Sequence, residues 1–138
     1  MKKASFILAI LLSLFLICPA FAQARASDYL AYTVVDIVPG NNQGELNISF
    51  SVRSMSTVSK LGIQKIKIYR SNGSYVTTIT GSVSNGLLSP KNSAFYANNY
   101  SYKGTPGVFY YAVVTVCAGP STNYDTKTVK TSVVQAPK

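Results

Sequence analysis

The ten residues Gly107-Val108-Phe109-Tyr110-Tyr111-Ala112-Val113-Val114-Thr115-Val116 leave the backbone little choice. β-Branched and aromatic side chains fill the run, and they favour a pleated, half-buried strand. Read two at a time, one face is Tyr110, Ala112, Val114 and Val116, apolar throughout; the other is Tyr111, Val113, Thr115 and Cys117, only half-polar. A strand apolar on one side and tolerant of cover on the other belongs inside a sheet that packs on a second layer.

Further strands follow from the same periodicity. Asp28 to Val38 is rich in Tyr, Leu, Val and Ile and stops at Pro39-Gly40-Asn41-Asn42. Glu45 to Val52 alternates without a fault, with Leu46, Ile48, Phe50 and Val52 on one side and Asn47, Ser49 and Ser51 on the other. The polar stretch Arg53 to Lys60 reads as a loop. Ile63 to Arg70 is a third strand, with Ile66 and Ile68 inward and Lys65, Lys67 and Tyr69 outward. Ser71-Asn72-Gly73-Ser74 then signals a hairpin, because Asn-Gly accepts the positive φ angles of a tight turn. Tyr75 to Thr80 pairs back. A Ser, Asn, Gly and Pro-rich loop runs to Asn92, with one side chain of Leu87-Leu88 tucked into the core. Ala94 to Tyr102 is a fifth strand, irregular at Asn98-Asn99, and Asp125 to Val134 closes the set. Seven short strands without a helical period describe an all-β chain, an antiparallel β-sandwich of about seven strands.

The first residues belong to export rather than to this fold. Lys2 and Lys3 precede an apolar run from Ala4 to Ile17, and Ala20-Phe21-Ala22 supplies a small-x-small cleavage pattern, with Ala24 and Ala26 as alternative positions. Pro19 closes the run before it is long enough to span a bilayer. Residues 1–22 therefore read as a secretory signal and 23–138 as one domain, secreted or loosely attached to the cell surface. Ile17 is bulkier than the small residue that precedes a lipidated cysteine, which argues against lipidation at Cys18. Removing Lys2 and Lys3 leaves eleven of the thirteen basic residues against four acids, so the formal charge falls from +9 to +7. Cys117 is then the sole cysteine, and no internal disulfide is open to it. It is either a small core hydrophobe or a thiol able to link two chains.

The segment Gly107 to Val114 resembles the sixth strand of fibronectin type III and immunoglobulin-like domains. In those domains a tyrosine three residues after a turn glycine folds its hydroxyl back on the preceding loop. Tyr110 occupies that position, although the tryptophan and paired cysteines of antibody domains are missing. The exported chain also resembles a family of short secreted proteins of Gram-positive bacteria described as a domain of unknown function. The resemblance rests on Tyr29-Leu30-Ala31-Tyr32-Thr33, Leu46 to Val52, Lys65 to Tyr69 with Asn72-Gly73-Ser74, and Tyr110 to Thr115. It implies a sandwich and no assigned activity.

Catalytic chemistry is sparsely provided. No histidine is present, which removes the commonest general base and metal ligand. One cysteine and four scattered acids offer no metal-ligand spacing, and no phosphate-cradling glycine loop occurs, so no cofactor or metal is expected. A carboxylate-dependent hydrolase would have to use Asp28 and Asp125, which a sandwich can bring together. The expectation is a non-enzymatic binding domain. Its cations point to an anionic cell-envelope or extracellular polymer, with Lys65, Lys67 and Arg70 as the binding residues and Lys60 nearby. Strand lysines also serve to discourage edge pairing. No motif for specific nucleic-acid recognition accompanies the charge. The second expectation is a glycan-binding face made by Tyr96, Tyr100 and Tyr102, three rings on one side of the fifth strand; cross-strand packing is the competing use of such rings.

Overall fold

The computed structural model describes residues 27–138; the expected signal segment, its expected cleavage positions and Cys18 lie outside the described residues. Eight strands run in the order β1 (Leu30–Pro39), β2 (Glu45–Val58), β3 (Lys60–Arg70), β4 (Tyr75–Thr80), β5 (Ser93–Lys103), β6 (Phe109–Gly119), β7 (Asp125–Lys130) and β8 (Val134–Gln135). They form two antiparallel sheets, β1-β2-β5 and β4-β3-β6-β7, with β8 beside the start of β6. This is the fibronectin III/immunoglobulin-like arrangement, a three-stranded sheet facing a larger one.

The inner faces are the apolar halves of each alternating strand. Leu46, Ile48 and Val52 of β2 meet Ile66 and Ile68 of β3 and Val114 of β6, all fully buried. Each such aliphatic contributes about 1.5–3 kcal/mol on leaving water. Tyr110, Ala112, Val114 and Val116 all face inward, and β6 sits between β3 on one side and β7 and β8 on the other, as its sequence requires. The hydroxyl of the buried Tyr110 accepts the backbone N–H of Thr105 at 2.9 Å, which makes it a tyrosine corner. Gly104 lies against that ring: a Cβ there would stand 2.7 Å from Cε2.

Four local expectations are corrected. Residues 53–58 are strand, not loop, because β2 continues past its apolar section; the Met55 N–H donates to the Tyr29 carbonyl, and Val58 pairs with Ser93. Only Ser59 then separates β2 from β3, so the chain crosses between sheets in a single step. The hairpin turn uses one positive φ, at Gly73 (88°), and none at Asn72. Asn72 instead accepts the Ser74 N–H through its side chain at 2.9 Å. At Asn98 and Asn99 the fifth strand is regular, paired with Phe50 and Ser49. Finally, the closing segment is two strands, since the Thr131 hydroxyl accepts the Ala112 N–H at 2.9 Å and takes the place of a ladder partner. In the loop after β4, Leu87 is fully buried while Leu88 is half-exposed.

Candidate functional site

Register decides which cations share a face. Lys65 pairs with Thr115 of β6, which pairs with Thr128 of β7; Lys67 pairs with Val113, which pairs with Lys130. These residues have the parity opposite to the buried Ile66, Ile68 and Val114, so they stand on the outer face of the five-stranded sheet. Lys65 and Lys67 are two residues apart, about 7 Å, and Lys130 lies two strands from Lys67, about 10 Å away. Lys130 is added to the predicted set by the fold alone, since nothing local in the sequence marks it. Arg70 separates from the lysines: it pairs with the inward Tyr110, and its charge is felt by Tyr102. Edge protection does not account for Lys65 and Lys67, because β3 is flanked by β4 and β6.

Tyrosines fill the spaces between these cations. The Tyr69 and Tyr111 rings stack with centroids 5.3 Å apart and planes 9° apart, and Tyr75 meets Tyr69 edge-on at 5.8 Å. The Lys130 ammonium stands 4.5 Å from the centre of the Tyr111 ring, and Lys60 lies 3.7 Å from that of Tyr124. The stacked Tyr69 and Tyr111 rings are structural, while Tyr75, 57% exposed, and Phe109, 48% exposed, keep ring surface open on the same sheet.

None of the four acids stands on the strand rungs that carry Lys65, Lys67 and Lys130. Asp125 Oδ2 accepts the Ser27 hydroxyl at 2.8 Å and the Tyr29 N–H at 2.6 Å, pinning the start of β1 to β7. Those donors, the Ser27 hydroxyl foremost, hold its carboxyl below the ordinary value. Asp28 and Asp125 thus lie near one corner, but Asp125 is engaged in anchoring a strand. Two shallow surface depressions are lined by residues other than Asp28 and Asp125. Among the described residues no cluster of three or more potential metal ligands occurs, and no helix is long and apolar enough to cross a membrane.

Tyr96, Tyr100 and Tyr102 share a face as expected, but it is the inner one. All three are half-buried against the core. Tyr96 packs on Phe50 and donates its hydroxyl to the Gly86 carbonyl at 2.8 Å, and Tyr102 meets Tyr110 edge-on at 6.3 Å. An exposed platform is therefore not what these rings form. The opposite parity of the same strand, with Asn99, Ser101 and Lys103, carried the signal that the tyrosines face inward. Cys117 is fully buried, and burial pushes its thiol up to about 11, which withdraws it from exchange with another chain.

No protein-family model matches the chain, and curated proteins give no match. Among solved structures it is similar to a family 76 glycoside hydrolase from a bovine Bacteroides thetaiotaomicron strain, at 18% identity and a TM-score of 0.43. That match covers 76% of this chain and 20% of the other, so this chain spans about a fifth of that protein's length. A likeness at this level carries over neither activity nor substrate.

Proposed function

We propose that the chain is an exported, non-enzymatic domain that holds an anionic cell-envelope or extracellular polymer against the outer face of its five-stranded sheet. The observation that carries this reading is the group Lys65, Lys67 and Lys130, brought together by register on rungs without a carboxylate. Clustered ammonium groups favour a repeating anion, and the flanking tyrosine hydroxyls add donors to its oxygens. Retention is salt-sensitive because each contact releases counterions.

Long-chain inorganic polyphosphate serves as the probe. Three ammonium contacts predict that affinity falls about 20- to 40-fold between about 50 and 200 mM salt. The Lys65→Gln/Lys67→Gln protein is expected to bind at least about tenfold more weakly, with a salt slope lower by about two. Arg53→Gln, on the opposite face of the sandwich, is expected to leave binding unchanged. Equal retention of the double variant and the parent protein would show that the polymer is held elsewhere.

A further inference from the structure

The outer face of the three-stranded sheet has a different make-up. At one end Tyr32, Arg53 and Phe95 form a single rung across β1, β2 and β5. Tyr32 is 58% exposed and Phe95 49%, and the Arg53 guanidinium stands 5.5 Å from the centre of the Phe95 ring. Among the described residues neither ring stacks on another, and each keeps about half of its surface in solvent.

Along β2 the side chains then shrink. Ser51 is opposite Ala97 and Ser49 opposite Asn99, while Val34 and Asp36 of β1 complete the same rungs, so a low floor along β2 and β5 is flanked by larger β1 side chains. Two surface depressions open on this face. One, of about 230 Å³, is lined by Val34, Ser49, Phe50 and Ser51; the other, of about 380 Å³, lies at the far end and is lined by Asn42, Gln43, Glu45, Ser101 and Lys103. There Glu45 Oε2 accepts the Asn42 N–H at 3.0 Å and the Asn42 side-chain amide at 2.6 Å, while Oε1 accepts the Ser101 hydroxyl at 3.2 Å. These bonds, the Asn42 backbone first, hold Glu45 below its ordinary value, so it is an oriented, ionised acceptor at neutral pH. Lys103, its register partner, supplies donors beside it.

Charge selects the occupant. Between Arg53 and Glu45 the outward rungs hold two acids, Asp36 and Glu45, and two bases, Arg53 and Lys103. A polyanion and a polycation each meet like charge here. A neutral chain with many hydroxyls and C–H faces meets what it needs: open rings at one end, serine and asparagine along the floor, and a paired acceptor and donor at the other. From Glu45 to Arg53 the trough runs about 26 Å at about 3.3 Å per residue, room for several sugar units.

We infer that this face binds a neutral polysaccharide lying along β2, stacked on Phe95 and Tyr32 and hydrogen-bonded at Glu45. The site is separate from the lysine face and stands independently of it.

Affinity electrophoresis of the purified protein through gels containing laminarin, xylan, mannan or dextran tests this. At least one is expected to retard the protein, with the retardation unaffected by about 0.5 M salt, since little of the attraction is between net charges. Phe95→Ala is expected to weaken binding about tenfold, the scale of one lost ring contact. Ser49→Arg, which fills the trough while leaving the rings in place, is expected to abolish it and guards against misreading a fold defect. Lys65→Gln/Lys67→Gln is expected to have no effect. Lack of retardation by all four polymers, or retardation that survives Ser49→Arg, overturns the inference. So does sedimentation showing a dimer that Ser49→Arg dissociates, because a second copy would then occupy the face.

Discussion

On the five-stranded sheet Tyr69 and Tyr111 stack at 5.3 Å, Tyr75 closes one end and Lys130 the other, so each ring is used by its neighbour. On the three-stranded sheet Tyr32 and Phe95 are separated by Arg53 and keep one side open. The charges differ in the same way. Three lysines stand together on rungs without an acid on the first face, while two acids balance two bases on the second. Exposure of an aromatic ring alone therefore says little about recognition. What distinguishes the stacked Tyr69 and Tyr111 from Tyr32 and Phe95 is whether the ring's surface is already spent on another ring.

Removing one ring from each face measures that difference directly. Tyr111→Ala loses the stack on Tyr69, the cation contact with Lys130 and half-buried ring area, and is expected to cost about 2–3 kcal/mol. Phe95→Ala loses the Arg53 contact and little packing, and is expected to cost less than about 1 kcal/mol. Urea unfolding of the two variants beside the parent gives both numbers. Equal costs would break the distinction between a structural ladder and an open platform.

Much of this arrangement was legible in the residues, and the exceptions have physical causes. β6 and the first part of β2 were readable because period-two alternation sorts their side chains without reference to any partner. Residues 53–58 were not: Arg-Ser-Met-Ser-Thr-Val carries no clean alternation, and its strand character comes from the Tyr29 carbonyl and from Ser93. Asn98 and Asn99 are poor strand formers held in line by pairing with β2. The shared face of Tyr96, Tyr100 and Tyr102 was visible, but the side it turned to depended on the neighbouring parity. Lys130 joining Lys67 through Val113 required the register of three strands, which no local pattern encodes.

The tyrosine corner tests whether the two faces are independent. Tyr110 lies between the sheets and belongs to neither outer surface. Tyr110→Phe keeps the ring and leaves the Thr105 N–H without its acceptor, an expected cost of about 1–2 kcal/mol. Polyphosphate and polysaccharide binding are both expected to be unchanged in the folded variant. A loss confined to one face would mean that the loop from Gly104 to Gly107 communicates with that face, and the comparison would need redrawing.

Acid produces the smallest effect, and it separates the faces by charge. Glu45 and Asp125 are both held below their ordinary values of 4.5 and 3.8 by hydrogen bonds to their ionised forms. A carboxyl whose folded pKa is depressed contributes stability that is present above the unfolded value and lost as pH falls through the folded one. The thermal midpoint is therefore expected to be level from neutrality to about pH 5 and to decline below about pH 4, with Asp125→Asn flattening part of the decline. Protonating Glu45 also removes an acid from the balanced face. Glu45→Gln reproduces that change at neutral pH, where it is expected to give the Lys65→Gln/Lys67→Gln background a weak, salt-sensitive affinity for polyphosphate. If this triple variant binds no better than the double one, the neutrality of the three-stranded sheet is not what keeps polyanions away from it.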